Sequence, residues 1–133
     1  MYTVGVRDQI MIAHSLRGAV FGPSQRMHGA TFVVDLAVRG PELTREGILV
    51  DIGDAAAHLR AVLDGLDRRN LDELPAFADR NSTTEAVARW VADRVAERLS
   101  APTVTALTVT VHESPTAWAS YEREVRAPWP RST

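Results

Sequence analysis

Two long stretches near the N-terminus alternate between apolar and polar residues, and this alternation restricts the fold more than any other feature. In residues 3–14, one parity carries Val4, Val6, Ile10, Ile12 and His14. In residues 27–40, one parity carries Phe32, Val34, Leu36 and Val38. A period of two is typical of a strand with one buried face. Because glycines and a proline lie between the stretches, in residues 17–26, we expect a loop there and an antiparallel strand pair.

Helical spacing follows in the middle of the chain. Asp51 can cap a helix that runs to about Leu66, and its apolar stripe consists of Ile52, Ala56, Leu59, Val62, Leu63 and Leu66. The segment STTE at residues 82–85 fits a capping box, in which an acid follows a hydroxyl residue. The second helix, which this box opens, buries Val87, Trp90, Val91, Val95 and Leu99. Residues 67–81 predict a loop.

Strands return at the C-terminal end. Residues 103–113 (TVTALTVTVHE) alternate and are rich in β-branched side chains, which predicts a strand, and residues 118–125 predict another. The triplet ILV at residues 48–50 predicts a further short strand. The order β-β-α-α-β-β favours an α+β fold, an antiparallel four-stranded sheet with two helices on one face. We expect a single domain over residues 1–126 and a loose, proline-rich C-terminal tail over residues 127–133.

Composition excludes several classes of function. The chain has 133 residues, which fits one domain, and no cysteine, which excludes disulfides, thiolate metal sites and a cysteine nucleophile. Its formal net charge of -2 differs from the basic balance of nucleic-acid-binding proteins. No run approaches the roughly 18 apolar residues that span a bilayer, and the charged N-terminal segment makes a poor signal peptide. We therefore expect a soluble, cytoplasmic protein that binds neither nucleic acid nor membrane.

Two histidines interrupt the apolar faces. His14 continues the apolar face of the first strand past its end, and His28 precedes the apolar face of the second. In an antiparallel pair, both imidazoles lie near one end of the sheet on its core side. Imidazole is a common zinc ligand, so a metal site is one interpretation, and a pair of hydrogen-bonded core residues is the other. Two histidines are one short of the three protein ligands typical of catalytic zinc.

Glu113 is the second interruption, because an acid ends the otherwise apolar parity of residues 107–111. A partly buried carboxylate needs hydrogen-bond donors, and a ligand with a ring N–H beside an amino group supplies two of them. A strand-end glutamate that faces solvent is the alternative. His112 has the opposite parity, and the charges of LDRRNLD, residues 66–72, are typical of a solvated loop.

In their order along the chain, these segments resemble the family of 6-pyruvoyl-tetrahydropterin synthase and 6-carboxytetrahydropterin synthase, over roughly residues 3–125. IAHSL (12–16) resembles its first zinc-histidine strand, MHGATF (27–32) its HGH segment, and TVTVHES (108–114) the strand that ends in its pterin-anchoring glutamate. Residues 47–95 resemble the stretch with both helices, a leucine-aspartate-histidine loop and a threonine-rich cap. The resemblance implies the tunnelling fold, whose sheets close into a barrel in a homohexamer with sites between subunits.

The resemblance also implies roles for individual residues. Glu113 is expected to bind the pyrimidine edge of a pterin, and Thr83 or Thr84 to help through a hydroxyl or backbone contact. His14 and His28 match two of the three histidines with which the family holds zinc. Zinc bound through these two, with water or a carboxylate completing the coordination, is the cofactor that the resemblance implies.

The chain departs from the family at the positions of one zinc ligand and of the catalytic residues. Ala30 stands in place of the third zinc histidine, and Ser24 lies nearest the position of the catalytic cysteine. Asp67-Arg68 stands in place of an aspartate-histidine pair, and arginine does not exchange its proton near neutral pH, since its pKa is above about 12. Asp67, Ser24 and Arg68 are the candidates for an altered proton relay.

These departures leave three interpretations of the function. The chain is a divergent enzyme of this family, a lyase on a dihydropterin with a non-standard proton relay. Alternatively, it is a binding protein for a pterin or purine that performs no chemistry. As a third alternative, it is an oligomeric scaffold whose site binds neither metal nor ligand.

Overall fold

The computed structural model describes residues 1–125. The predicted loose tail, residues 127–133, lies outside the described residues. The elements are β1 (Tyr2–His14), β2 (His28–Gly40), α1 (Ile52–Leu63), β3 (Arg69–Asn70), α2 (Thr84–Arg98), β4 (Ala106–Ser114) and β5 (Ala117–Glu124). Short 3-10 helices occupy Ala19–Gln25, Leu71–Glu73 and Pro75–Phe77.

The sheet has the strand order β3-β1-β2-β4-β5. The β1–β2, β2–β4 and β4–β5 pairs are antiparallel, whereas β3 pairs with β1 in parallel. The predicted α+β class is confirmed, but the predicted strand count was wrong, because the described sheet has five strands. The extra strand, β3, has two residues and no alternation that a sequence pattern could show.

The strand predicted at residues 48–50 was also wrong. The carbonyl of Ile48 accepts from the amide of Thr44 at 2.8 Å, which closes a local turn. The carbonyl of Leu49 accepts from the hydroxyl of Thr103 at 2.5 Å. Leu49 is nevertheless buried, so its apolar character reflects packing beneath the sheet end and not strand pairing.

The core lies between the two helices and one face of the sheet. The predicted parities hold, because the strands bury Ile10, Ile12, Phe32, Val34, Leu36, Val38, Leu107, Val109 and Val111. The helices pack onto this face with Ala55, Leu59, Val62, Leu63, Val87, Ala88, Val91, Ala92 and Val95. Both helices therefore lie on one side of the sheet, and the opposite side, here called the open face, carries the polar parity.

Side chains of both helix N-caps are engaged, as the sequence predicts for Asp51. The carboxylate of Asp51 accepts from the amide of Asp54 at 3.0 Å. At α2 the cap is Thr83, whose hydroxyl oxygen accepts from the amide of Ala86 at 3.2 Å. The capping box was therefore predicted one residue too early, and Ser82 is left to bond elsewhere.

Candidate functional site

The two histidines face each other at one end of the sheet. His14 ends β1, His28 begins β2, and the register pairs them directly. Their ring centroids are 4.6 Å apart at an interplanar angle of 63°. His14 is buried, with 2% of its surface exposed, while His28 is half-buried.

Backbone carbonyls orient both rings. Nδ1 of His14 lies 2.9 Å from the carbonyl oxygen of Ser82 and 3.0 Å from its hydroxyl. Nδ1 of His28 lies 2.8 Å from the carbonyl oxygen of Arg26. Because a carbonyl only accepts, each Nδ1 donates, and each neutral ring keeps the lone pair on Nε2. A second hydrogen bond of this kind is what fixes the tautomer of a metal-binding histidine.

The environment of His14 favours its neutral form. Burial is the main cause that lowers the pKa of His14, and the neighbouring His28 lowers it further. The carbonyl of Ser82 and the charges of Asp72 and Glu113 act in the opposite direction. His14 therefore stays a lone-pair donor at neutral pH.

A three-ligand zinc site does not fit the described residues. In residues 1–125, no three His, Cys, Asp or Glu side chains lie close enough together to hold a metal ion. Ala30 follows His28 on the same face of β2 and offers only a methyl group. The histidine pair therefore supplies two nitrogen ligands, one fewer than the three protein ligands of a typical catalytic zinc site.

Glu113 lies at an irregularity of β4. The register between β4 and β5 shifts between His112 and Ser114, so Glu113 sits on a bulge. Its side chain is exposed, although its parity along the strand predicts the core face. Glu113 lines a groove of about 450 Å³, whose other walls are Arg7, Thr31, Val33, His112, Ser114 and Pro115.

The open face carries a line of charged groups that the sequence analysis missed. Nε and Nη2 of Arg7 donate to the two carboxylate oxygens of Asp35 at 2.5 and 3.0 Å. Nε2 of His112 lies 2.8 Å from Oδ2 of Asp35. The hydrogen bond from Arg7 is the main cause that lowers the pKa of Asp35, and His112 contributes. The available signal was that all three residues fall on the polar parity of their strands.

The two threonines predicted as pterin contacts lie at the start of α2. Thr83 caps the helix, and the hydroxyl of Thr84 donates to Oε1 of Glu85 at 3.1 Å. Both threonines are half-buried. Their neighbour Ser82 contacts His14, so the start of α2 is held at the histidine end of the sheet.

The three residues predicted as a proton relay lie in two places. The carboxylate of Asp67 accepts from the amide of Met11 at 2.9 Å and from Nη2 of Arg60 at 3.0 Å. Arg68 donates its amide to the carbonyl of Met11 at 2.6 Å, has a φ of 60° and exposes its side chain. Ser24, in the 3-10 helix Ala19–Gln25, accepts from the amide of Leu16 through its carbonyl at 3.0 Å.

Among the described residues, no hydrogen bond joins Asp67, Arg68 and Ser24 to one another. The amide of Met11 is the main cause that lowers the pKa of Asp67, and the charges of Arg60 and Arg68 add to it. The relay role of these residues stays a prediction.

Two solved structures illustrate the fold that this chain shares. The chain superposes on the structure of Caenorhabditis elegans 6-pyruvoyl tetrahydropterin synthase with a TM-score of 0.81 and 26% identity, over 92% of this chain and 95% of that one. The structure of Escherichia coli dihydroneopterin aldolase in complex with neopterin shares the fold, with a TM-score of 0.56 and 12% identity. The superposition covers 92% of this chain and 99% of that one. The fold thus defines a tetrahydropterin synthase-like domain.

Sequence comparison identifies the family. A family model described as 6-pyruvoyl tetrahydropterin synthase matches residues 3–124. The 6-pyruvoyl tetrahydrobiopterin synthase of Drosophila melanogaster is 33% identical over 115 residues, 84% of this chain and 66% of that protein. The 6-carboxy-5,6,7,8-tetrahydropterin synthase of Bacillus subtilis is 33% identical over 119 residues, which cover 84% of this chain and 79% of that protein. The chain belongs to the 6-pyruvoyl tetrahydropterin synthase family.

The match to the Drosophila protein spans about two thirds of its length, at 66%, and that to a putative 6-pyruvoyl tetrahydrobiopterin synthase of Caenorhabditis elegans spans 63%. In residues 1–125, no helix has the length and apolar character that a membrane span requires.

Proposed function

We propose that this chain binds a pterin-type heterocycle beside Glu113 and acts on a dihydropterin as a lyase with a non-standard proton relay. The observation that supports this is the convergence of three distant segments at one end of the sheet. Ser82, just before the α2 cap, bonds to His14, and the charge of Glu113 lies close enough to act on the pKa of His14.

Glu113 is the group that gives the site its selectivity in this proposal. A pterin presents a ring N–H beside an amino group, and one carboxylate can accept both hydrogen bonds in a bidentate arrangement. The groove beside Glu113, about 450 Å³, is within the range of small-molecule sites. Thr83 and Thr84 are proposed to add hydroxyl or backbone contacts from the start of α2.

The altered residues favour a second candidate, a binding protein that performs no chemistry. Ser24, Arg68 and Ala30 stand where the family resemblance implies a cysteine and two histidines. An oligomeric scaffold is the third candidate. Zinc at the histidine pair, assembly into a homohexamer and a cytoplasmic location stay predictions.

Binding of 7,8-dihydroneopterin to a Glu113→Gln variant tests the pocket. Charge-assisted hydrogen bonds contribute about 1.5–3 kcal/mol, so we expect the Kd to rise roughly 10- to 150-fold. Glu124→Gln is the matched control, because Glu124 is also an exposed glutamate near the end of a strand. Equal affinity of the wild type and Glu113→Gln would show that the pocket lies elsewhere.

Turnover distinguishes the enzyme from the binding protein. Incubation with 7,8-dihydroneopterin triphosphate, with and without added zinc, should consume substrate if the chain is a lyase. Full recovery of the substrate together with Glu113-dependent binding identifies a binding protein. Recovery without any pterin binding leaves the scaffold.

A further inference from the structure

The line Arg7–Asp35–His112 is built into the register of three strands. Arg7 on β1 and Asp35 on β2 are direct cross-strand partners. His112 on β4 lies diagonal to Asp35, whose direct partner is Thr110. Each side chain holds the next, so the imidazole at the end of the line has a defined orientation.

The hydrogen bond to Asp35 fixes which ring nitrogen of His112 is available. The pKa of Asp35 is lowered, so its carboxylate is ionised and accepts from Nε2–H of the imidazole. In the neutral ring the lone pair then lies on Nδ1. Among the described residues, Nδ1 of His112 has no hydrogen-bond partner, and it is not one of the buried orphan atoms. Within residues 1–125, its lone pair is therefore open to solvent or a ligand.

His112 and Glu113 line the same groove. The bulge at Glu113 brings two adjacent residues, whose strand parities differ, to one cavity. A carboxylate that can anchor a heterocycle therefore lies next to an imidazole with a free lone pair. Proton-transfer sites contain a base, a residue that orients the base and an adjacent group that binds the ligand.

We propose that His112 accepts a proton from the heterocycle bound at Glu113, and that Asp35 and Arg7 are its positioning residues. This inference rests on the proposed function and supplies the non-standard relay which that function requires. Nδ1 of neutral His112 takes a proton from a ligand carbon next to a C=O or C=N group. The C–H electron pair stays on the ligand as an enolate or, beside a C=N group, an aza-enolate, and Asp35 balances the imidazolium charge. Return of a proton from the imidazolium to the same carbon restores the ligand, so the step exchanges this hydrogen with solvent and needs no oxidant or reductant.

Charged and aromatic groups from four strands surround the ring of His112. Asp35 and Arg7 face the ring from β2 and β1, Glu113 flanks it on β4, and the uncharged Trp118 approaches from β5 with ring centroids 6.0 Å apart. Only the neutral ring, with its lone pair on Nδ1, can accept the proton.

Solvent-deuterium incorporation tests the step without requiring complete turnover. The probe is a 7,8-dihydropterin with a side-chain ketone in D2O, and NMR follows loss of the proton next to the carbonyl. General acid–base catalysis contributes about 10²–10⁴-fold, so His112→Gln should slow the exchange by that factor while the pterin Kd changes less than threefold. His58→Gln is the matched control, because His58 lies on α1 and does not line the groove.

Asp35→Asn tests the positioning role. The amide can donate to Nε2 and so favours the other tautomer of His112, with the lone pair turned away from the groove. We expect slower exchange and altered 15N shifts of His112, and the Kd should be retained. Circular dichroism verifies folding of each variant, and His112→Asn replaces His112→Gln if the latter is unfolded.

The outcomes separate this inference from the proposed function. Wild-type protein that binds pterin but exchanges no proton, or a His112→Gln variant that exchanges at the wild-type rate, overturns the role of His112 and leaves pterin binding intact. Wild-type protein that binds no pterin overturns both.

Discussion

Replacing Ala30 with histidine should convert the histidine pair into a three-ligand zinc site. Ala30 pairs with Ile12 across the sheet and lies on the same face of β2 as His28. Residues two apart on a strand are separated by about 6.6 Å, and a tetrahedral zinc ion with bonds of about 2.0–2.1 Å needs its nitrogens roughly 3.3 Å apart. The existing rings, 4.6 Å apart between centroids, already approach this spacing.

Two opposing free-energy terms determine the stability of the Ala30→His variant. Without metal, the larger side chain at this half-buried position should lower the free energy of unfolding by about 1–3 kcal/mol. With free zinc at about 100 times its Kd, binding to the folded state adds about 2.7 kcal/mol. For a domain of this length, 1 kcal/mol corresponds to roughly 3–5 °C in Tm, so zinc should raise the Tm of Ala30→His by about 8–13 °C.

Differential scanning fluorimetry with and without zinc measures this, and metal analysis after dialysis gives the stoichiometry. Ala37→His is the matched control, because Ala37 is a half-buried alanine on the opposite face of the same strand. The reasoning is refuted if zinc shifts the Tm of Ala30→His no more than that of Ala37→His. Equal zinc affinity of the wild type and Ala30→His would instead show that a third ligand is already present.

Two further predictions concern stability. A Cβ at Gly40 would lie 1.9 Å from the carbonyl oxygen of Thr103, so Gly40→Ala should lower the free energy of unfolding by about 3 kcal/mol in urea titrations. Asp67→Asn should lower it by roughly 1–2 kcal/mol, because the ion pair with Arg60 and the charged acceptor for the amide of Met11 are lost. The folded-state pKa of Asp67 is lowered, so its contribution is complete above about pH 5 and is lost as the pH falls through that pKa.

Matched variants show whether these effects are local. A Cβ at Gly5 would make only ordinary contact, 3.7 Å from the carbonyl oxygen of Leu36, so Gly5→Ala should be tolerated. Asp64 also pairs with Arg60 but is more exposed, at 67% against 25% for Asp67, so Asp64→Asn should cost less than 1 kcal/mol. Equal losses within either pair would contradict the structural explanation.

Hydrophobic periodicity was sufficient to predict β1, β2, β4 and the two α-helices, because each of them has one buried face. The parities of residues 4–14 and 32–38 identified the core side of β1 and β2. The loop between them placed His14 and His28 at one end of the sheet, and the structure adds that they are direct cross-strand partners. Periodicity could not reveal β3, because the two residues Arg69 and Asn70 are placed by hydrogen bonds to β1 and not by burial.

The site was harder to predict, since it depends on contacts between distant segments. The exposure of Glu113 depends on a bulge, and a bulge changes parity without a signal in the sequence. The bond between Ser82 and His14 joins residues 68 positions apart. His112 was recognised as lying on the polar parity, but only the register of three strands brings it to Asp35.

The way in which Asp67 and Arg68 attach their loop to β1 determines which side chains position 68 can carry. The side chain of Asp67 accepts from the N–H of Met11, and the amide of Arg68 donates to the C=O of the same residue, so the loop is held against β1. At position 68 the fold uses only backbone atoms, because the guanidinium points outward. Any side chain that tolerates a φ of 60° can therefore occupy this position while the loop stays in place. The reactivity of the loop can change by single substitutions that leave the architecture intact.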